Sequence, residues 1–272
     1  PSGYSREVTI VATKQNSLTE GSIIKALFRL AIPIMGTSFV QMAYNMTDMI
    51  WVGRIGTRAV AATGTAGFYS WLAMAFVLIP KIGAEVGVAQ SVGKQDMKEA
   101  KVYIKHSFQM VVFLALAYAS VMILFRRPLI GFFNLGEADI VNDAITYLVI
   151  IAFGMIFFFI NPVFSAVFNG YGESRTPFLI NSTGLVINMI LDPLLILGIG
   201  PFPRLEVVGA ALATIIAQAA VTVVFVIVAK RRTELFSGLS LFKAPDTEHI
   251  KHITKLGLPV GLQSGMFAGF AM

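Results

Sequence analysis

Cysteine is absent from the 272 residues, which excludes disulfides, thiolate metal sites and cysteine nucleophiles. Charge is scarce as well: 13% of the chain is Asp, Glu, Lys or Arg, against about a quarter in an ordinary water-soluble domain. No GxxxxGK[ST] loop occurs, so nothing in the chain is built to hydrolyse a nucleotide, and Gly170-Tyr171-Gly172 is too short for a dinucleotide fingerprint. No nucleophile, base and orienting group can be assembled from the apolar segments. The opening residues lack the apolar core and small-residue cleavage site of a secretory signal. A non-enzyme without a cofactor is expected.

What fills the chain instead is apolar. Hydrophobic residues make up 56% of it, 22 of them phenylalanine, and the mean hydropathy is +0.75. A core of this size does not need that excess, so the surplus apolar surface must face a lipid bilayer. The net charge of +6 would suit nucleic acid only if the basic residues shared one exposed face with aromatics among them. They lie between apolar runs, and no nucleic-acid partner is expected.

Crossing the hydrocarbon layer takes about 20 residues of helix. Six segments qualify: Ala26–Trp51, Val60–Pro80 with an extension to Val92, Ser107–Phe125, Ala144–Phe168, Pro177–Ile199 and Val207–Ala229. A seventh starts near Ile253 and stops at Met272. The expected organisation is a polar tail over 1–22, a six-helix membrane lobe over 23–232, a linker over 233–252 and the incomplete start of a second lobe over 253–272. Connections on one side of these spans hold fifteen Lys and Arg and those on the other hold five. Positive charge stays in the cytoplasm, so both the N-terminus and the linker are expected there, in a multi-pass protein of the cell membrane.

The ends of the lobe echo each other. Arg29-Leu30-Ala31-Ile32-Pro33-Ile34 matches Lys255-Leu256-Gly257-Leu258-Pro259-Val260, and Ser38 matches Ser264. Parallel six-helix repeats are one way of building transporters, which implies a complete protein of about twice this unit.

Polar side chains at bilayer depth are costly and mark functional candidates. Gln41, Tyr44, Asn45 and Asp48 share one face of the first helix. The alternative for Asp48 is a carboxylate at the helix end reaching Arg54 or Arg58 at the interface. On the fifth helix Asn181, Asn188 and Asp192 again share a face, and Pro193 deprives the Met189 carbonyl of its helical partner. A packing kink is the alternative there. Thr214 and Gln218 on the sixth helix follow the small residues Gly209, Ala210, Ala211 and Ala213, which suit close helix approach. Lys81 and Glu85, at i and i+4, are expected to pair with each other on the second helix. His249 and His252, with Asp246 and Glu248, are expected in a solvated loop rather than in a metal site.

Five strings in order, LAIPI ending at Ile34, YNMTDMIWVG from Tyr44, FNGYGESRTPF from Phe168, INMILDPLLI from Ile187 and VVGAALAT from Val207, resemble the multidrug and toxic compound extrusion family of cation-coupled efflux transporters. The resemblance implies an all-α integral membrane protein of twelve helices in two six-helix lobes, of which this chain holds the first lobe and the start of the second. It implies antiport of amphipathic, often cationic small molecules against H⁺ or Na⁺ by alternating access, in a monomer embedded in the bilayer. By motif, Asp48, Asn188, Asp192 and Thr214 take the coupling cation, and would be its metal ligands if it is Na⁺. Gln41, Tyr44, Asn45, Asn161, Asn181 and Gln218 are the candidates for lining the substrate cavity. Two features depart from the family pattern: Glu173 stands where an Asp is usual, and Lys81 and Glu85 have no family role. The competing readings are a flippase for lipid-linked sugars or other bulky lipids, and a membrane scaffold or binding protein that transports nothing.

Overall fold

The computed structural model describes residues 23–238 and 246–270, and every regular element in them is helical. In chain order these are α1 (Ile23–Gly53), α2 (Thr57–Gly93), α3 (Met97–Leu124), α4 (Arg126–Gly131), α5 (Ala138–Gly170), α6 (Arg175–Leu197), α7 (Glu206–Arg231), α8 (Thr233–Phe236) and α9 (Thr247–Phe270). The expected tail over 1–22 and part of the expected linker, 239–245, lie outside the described residues, as do 271–272.

Five of these helices, α2, α3, α5, α6 and α7, are long and apolar enough to cross a membrane. α1 is 31 residues long and carries Arg29, Gln41, Asn45 and Asp48 along its length. α9 carries His249, Lys251, His252 and Lys255 in its first turns. Where the five spans face outward they carry large apolar groups. Phe113 on α3 and Phe153 on α5 are 71% and 70% exposed, which a bilayer tolerates and water does not.

Helix boundaries differ most where charge masked them. α3 begins at Met97, ten residues before the expected Ser107. Asp96 caps it, accepting from the backbone N–H groups of Lys98 and Glu99 at 3.1 and 3.0 Å. The basic run Lys98, Lys101, Lys105 is therefore helix rather than loop. His249 and His252 likewise sit on the first turns of α9 instead of a solvated loop. A helix that extends beyond the hydrocarbon layer loses its apolar signature without ending.

α2 is the centre of the bundle, packed against α3, α5 and α9, while α6 pairs with α1 and α7. Small residues set the closest approaches. Gly209, Ala210, Ala211 and Ala213 are all buried, and a Cβ on Gly209 would be driven into the Leu195 carbonyl. Phenylalanine fills the space between α3, α5, α7 and α8. Phe164 stacks on Phe225 with ring centroids 5.2 Å apart, Phe168 also meets Phe225, Phe236 lies against both Phe164 and Phe168, and Phe108 meets Phe164 edge-on at 4.7 Å. Such pairs contribute beyond their buried area. The hydroxyl of Tyr118 donates to the Tyr69 carbonyl at 2.7 Å, and that of Tyr69 donates to the Leu129 carbonyl at 2.6 Å, tying α3, α2 and α4 together.

Glu173, in the loop after α5, accepts from Thr176 at 2.8 Å and from Arg232 at the end of α7 at 2.6 Å. The longer Glu side chain reaches an arginine on another element. Its side chain is 14% exposed and that of Arg232 is 42% exposed, so the pair lies between the buried and surface limits. Glu173→Gln is expected to cost about 1 kcal/mol. A double-mutant cycle with Arg232→Ala, read by thermal unfolding, should recover that coupling; additivity of the two changes would contradict it.

Candidate functional site

A cavity of about 350 Å³ opens between α1, α2, α5 and α7. Its polar wall comes from α1, whose 3.6-residue repeat aligns Gln41, Tyr44, Asn45 and Asp48, and from Thr214 and Gln218 on α7. Thr63 and Ser70 of α2 add hydroxyls, and Tyr147 of α5 adds a phenol. Trp71, Met74 and Phe158 supply an aromatic and thioether surface opposite, adaptable to more than one flat apolar ligand.

Behind this wall, Asn188 and Asp192 of α6 are both 0% exposed. The Asn188 amide N–H donates to Asp192 Oδ1 at 2.9 Å. α6 continues through Pro193 to Leu197, so the proline does not end the helix. Tyr44 joins α1 to α7 by donating to the Thr214 carbonyl at 3.3 Å. Asp48 and Asp192 are within electrostatic range of one another, and both act on the buried hydroxyls of Tyr44 and Tyr147.

Four buried side-chain oxygens here have no hydrogen-bond partner among the described residues: Asp48 Oδ1, Asn188 Oδ1, Asp192 Oδ2 and Thr214 Oγ1. Native proteins leave few such groups, and each carries a desolvation penalty. The four come from α1, α6 and α7. They comprise two carboxylates, an amide carbonyl and a hydroxyl, a donor set that suits a hard cation or a proton.

Asp48 does not reach for the interface arginines. Arg54 sits 4.4 Å above the Trp51 ring, and Arg58 pairs with Asp139 at 2.9 Å and Glu137 at 3.6 Å.

Two of the six expected cavity residues lie elsewhere. Asn161 is 3% exposed; its amide donates to the carbonyl and side-chain oxygens of Gln218 at 3.0 and 2.8 Å and accepts from Thr222 at 2.7 Å. It joins α5 to α7, outside the cavity lining. Asn181 is likewise outside it, donating to the Pro177 carbonyl at 2.7 Å and to Ser165 at 3.2 Å. An amide in an apolar helix needs partners wherever it points, so its polarity alone does not distinguish cavity from interhelical seam. Tyr147, Thr63 and Ser70 carry no signal in the sequence, because single hydroxyls among apolar neighbours form no stripe. Tyr147, the sole tyrosine of α5, was the one readable hint, since a buried phenol asks for a partner. Lys81 and Glu85 interact electrostatically, but Glu85 also interacts with the Asn169 side chain of α5, a contact the i, i+4 spacing does not predict.

A family model described as MatE matches residues 33–194. Over 248 residues the chain is 29% identical to "Probable multidrug resistance protein NorM" of Thermotoga maritima, covering 90% of this chain and 53% of that one. Over 261 residues it is 27% identical to "Probable multidrug resistance protein YpnP" of Bacillus subtilis, covering 95% and 57%. Among solved structures, the outward-facing conformation of a multidrug resistance MATE family transporter of the MOP superfamily superposes with a TM-score of 0.77 at 28% identity, covering 90% of this chain and 53% of that one. The chain thus spans about half the length of the curated relatives it matches. It belongs to the MatE family, the multidrug and toxic compound extrusion transporters, and is a multi-pass membrane protein of that family.

Proposed function

We propose that this chain forms the first lobe, whose six long helices are α1, α2, α3, α5, α6 and α7, and the opening helix of the second lobe, α9, of a secondary transporter that expels amphipathic, often cationic compounds in exchange for H⁺ or Na⁺. The tail faces the cytoplasm, the protein works as a monomer in the cell membrane, and the two lobes rock to give alternating access. The observation that carries this reading is the set of four unpartnered oxygens on α1, α6 and α7 directly behind a cavity that Asp48 and Thr214 also line.

A cation arriving at Asp48, Asn188, Asp192 and Thr214 neutralises the charge that a cationic substrate would use, so each ligand weakens the other's hold. Gln41, Tyr44, Asn45 and Gln218 orient the substrate, and Trp71 and Phe158 stack on it. A lipid-linked pyrophosphate would want cationic side chains in the cavity. Among the described residues its lining includes Asp48 and neither Lys nor Arg, which favours efflux of cations over the flippase reading.

The test is flux of a fluorescent cationic dye in proteoliposomes of the full-length transporter, first under an imposed pH gradient and then under a Na⁺ gradient. Acceleration by either supports the exchange and identifies the ion. Flux indifferent to both would overturn it, and dye binding without flux would favour a binding protein.

A further inference from the structure

Three histidines, described by none of the roles above, meet where α3 and the start of α9 pack together. His106 of α3 is buried, and both of its ring nitrogens are committed. Nδ1 lies 2.8 Å from the Val102 carbonyl and so must donate. Nε2 lies 2.9 Å from the backbone N–H of Asp246 and so must accept. Only the neutral ring, protonated at Nδ1, satisfies both. Asp246 immediately precedes α9 and caps it, its carboxylate accepting from the Glu248 N–H at 3.0 Å.

His249, in the first turn of α9, stacks on His106 with centroids 5.5 Å apart and planes 12° from parallel. Its two nitrogens face carboxylates, Asp246 at 2.6 Å and Glu99 of α3 at 3.4 Å. The His249 hydrogen bond and the Glu248 N–H hold the Asp246 carboxyl below its ordinary range. Tyr103 of α3 closes the cluster at 2.8 Å from His252 Nδ1. The charged groups acting on His106 are Lys105 on its own helix and Asp246 and His249 on α9. Glu99 and Tyr103 of α3, with Glu248 and His252 of α9, lie one contact further out. α2, α4, α5 and α8, which also pack on α3, add none to His106 among the described residues.

We propose that His106 is a proton-released latch: as the neutral ring it fastens the start of α9 to α3, and on protonation it lets that end go. This rests on the reading that α9 opens the second lobe, which makes the latch a fastening between lobes. A proton on Nε2 turns the acceptor into a second donor facing the Asp246 N–H, and sets a positive ring face to face with His249. The new N–H on the buried His106 ring then faces another donor, and a buried donor without an acceptor bears its desolvation penalty. The other tie across this junction, His249 to Glu99, is long, and Glu99 is 40% exposed, so it contributes little and release of His106 prevails. Opening takes up one proton. The latch is therefore fully closed above the ordinary imidazole pKa of about 6.5 and weakens by up to about tenfold per pH unit below it.

Hydrogen–deuterium exchange of the full-length protein at pH 7.5 and 5.5, corrected for intrinsic amide chemistry, reads the latch in peptides covering 246–256. Wild type should lose protection there several-fold at the lower pH. His106→Gln, whose amide can donate to Val102 and accept from Asp246 without titrating, should show equal protection at both. His249→Gln should keep the acid loss, which preserves the test if His106→Gln fails to fold. A wild type without the step, a step that survives in His106→Gln, or one abolished by His249→Gln would each overturn the proposal. Asp192→Asn should retain the step even where efflux is lost, so failure of the latch and failure of the exchange reading are read separately.

Discussion

Asp192→Asn in the full-length transporter is expected to reduce ion-driven efflux by about 5- to 150-fold, the range that a coupling free energy of about 1–3 kcal/mol spans. Folding and membrane insertion should survive. The substitution keeps the shape of the side chain, and the new carbonyl oxygen can still accept from Asn188, whose amide now bonds Asp192 Oδ1 at 2.9 Å. What disappears is the charge, and with it the reason for a cation to join Asp48, Asn188 and Thr214. Asp139→Asn is the matching control, because Asp139 is exposed and bonds only Arg58 among the described residues; its efflux should equal wild type. Full cation-driven efflux by Asp192→Asn would sink the coupling role.

The second large effect is on stability. Gly257, Gly261 and Gly265 recur every fourth residue on α9 and face α2. A Cβ on Gly257 would be driven into the Ile79 carbonyl, and one on Gly261 would stand 2.7 Å from the Ala75 carbonyl. Backbone lies against backbone along this seam, as small residues allow. Gly257→Ala must push the helices apart, at a cost of about 1–3 kcal/mol. Gly93→Ala, also in a helix but with nothing within 4 Å, should instead be neutral or gain up to about 1 kcal/mol from helix propensity. Thermal unfolding of the full-length protein in detergent compares them. A Gly257→Ala protein that melts with wild type would refute the seam as a rigid contact.

The sequence and the structure agree where a single physical signal is strong. Asp48 at the end of the α1 stripe and Asp192 beside Asn188 stand out because bilayer depth makes a carboxylate costly, and the fold does bring Asp48, Asn188, Asp192 and Thr214 toward one place. Asn161 and Asn181 give the same signal for a different reason, since an amide that joins two helices is as polar as one that lines a cavity. The glycine seam and the histidine cluster stayed hidden because each depends on a partner distant in sequence. Gly257 means little until Ile79 lies against it, and His106 looks like an ordinary core histidine until Asp246 is placed at its Nε2. Charge near the helix ends blurred α3 and α9 in the same way, by removing the apolar pattern without breaking the helix.

The phenylalanines at the crossing of α5, α7 and α8 bear on how such a lobe would move. Phe164, Phe168, Phe225 and Phe236 hold one another like the keyed stones of an arch. No ring can rotate or shift without displacing the next, because close-packed interiors transmit strain rather than absorb it. The lobe is thereby stiff at the end that carries Glu173 and Arg232. A transport stroke would turn it as a solid lever.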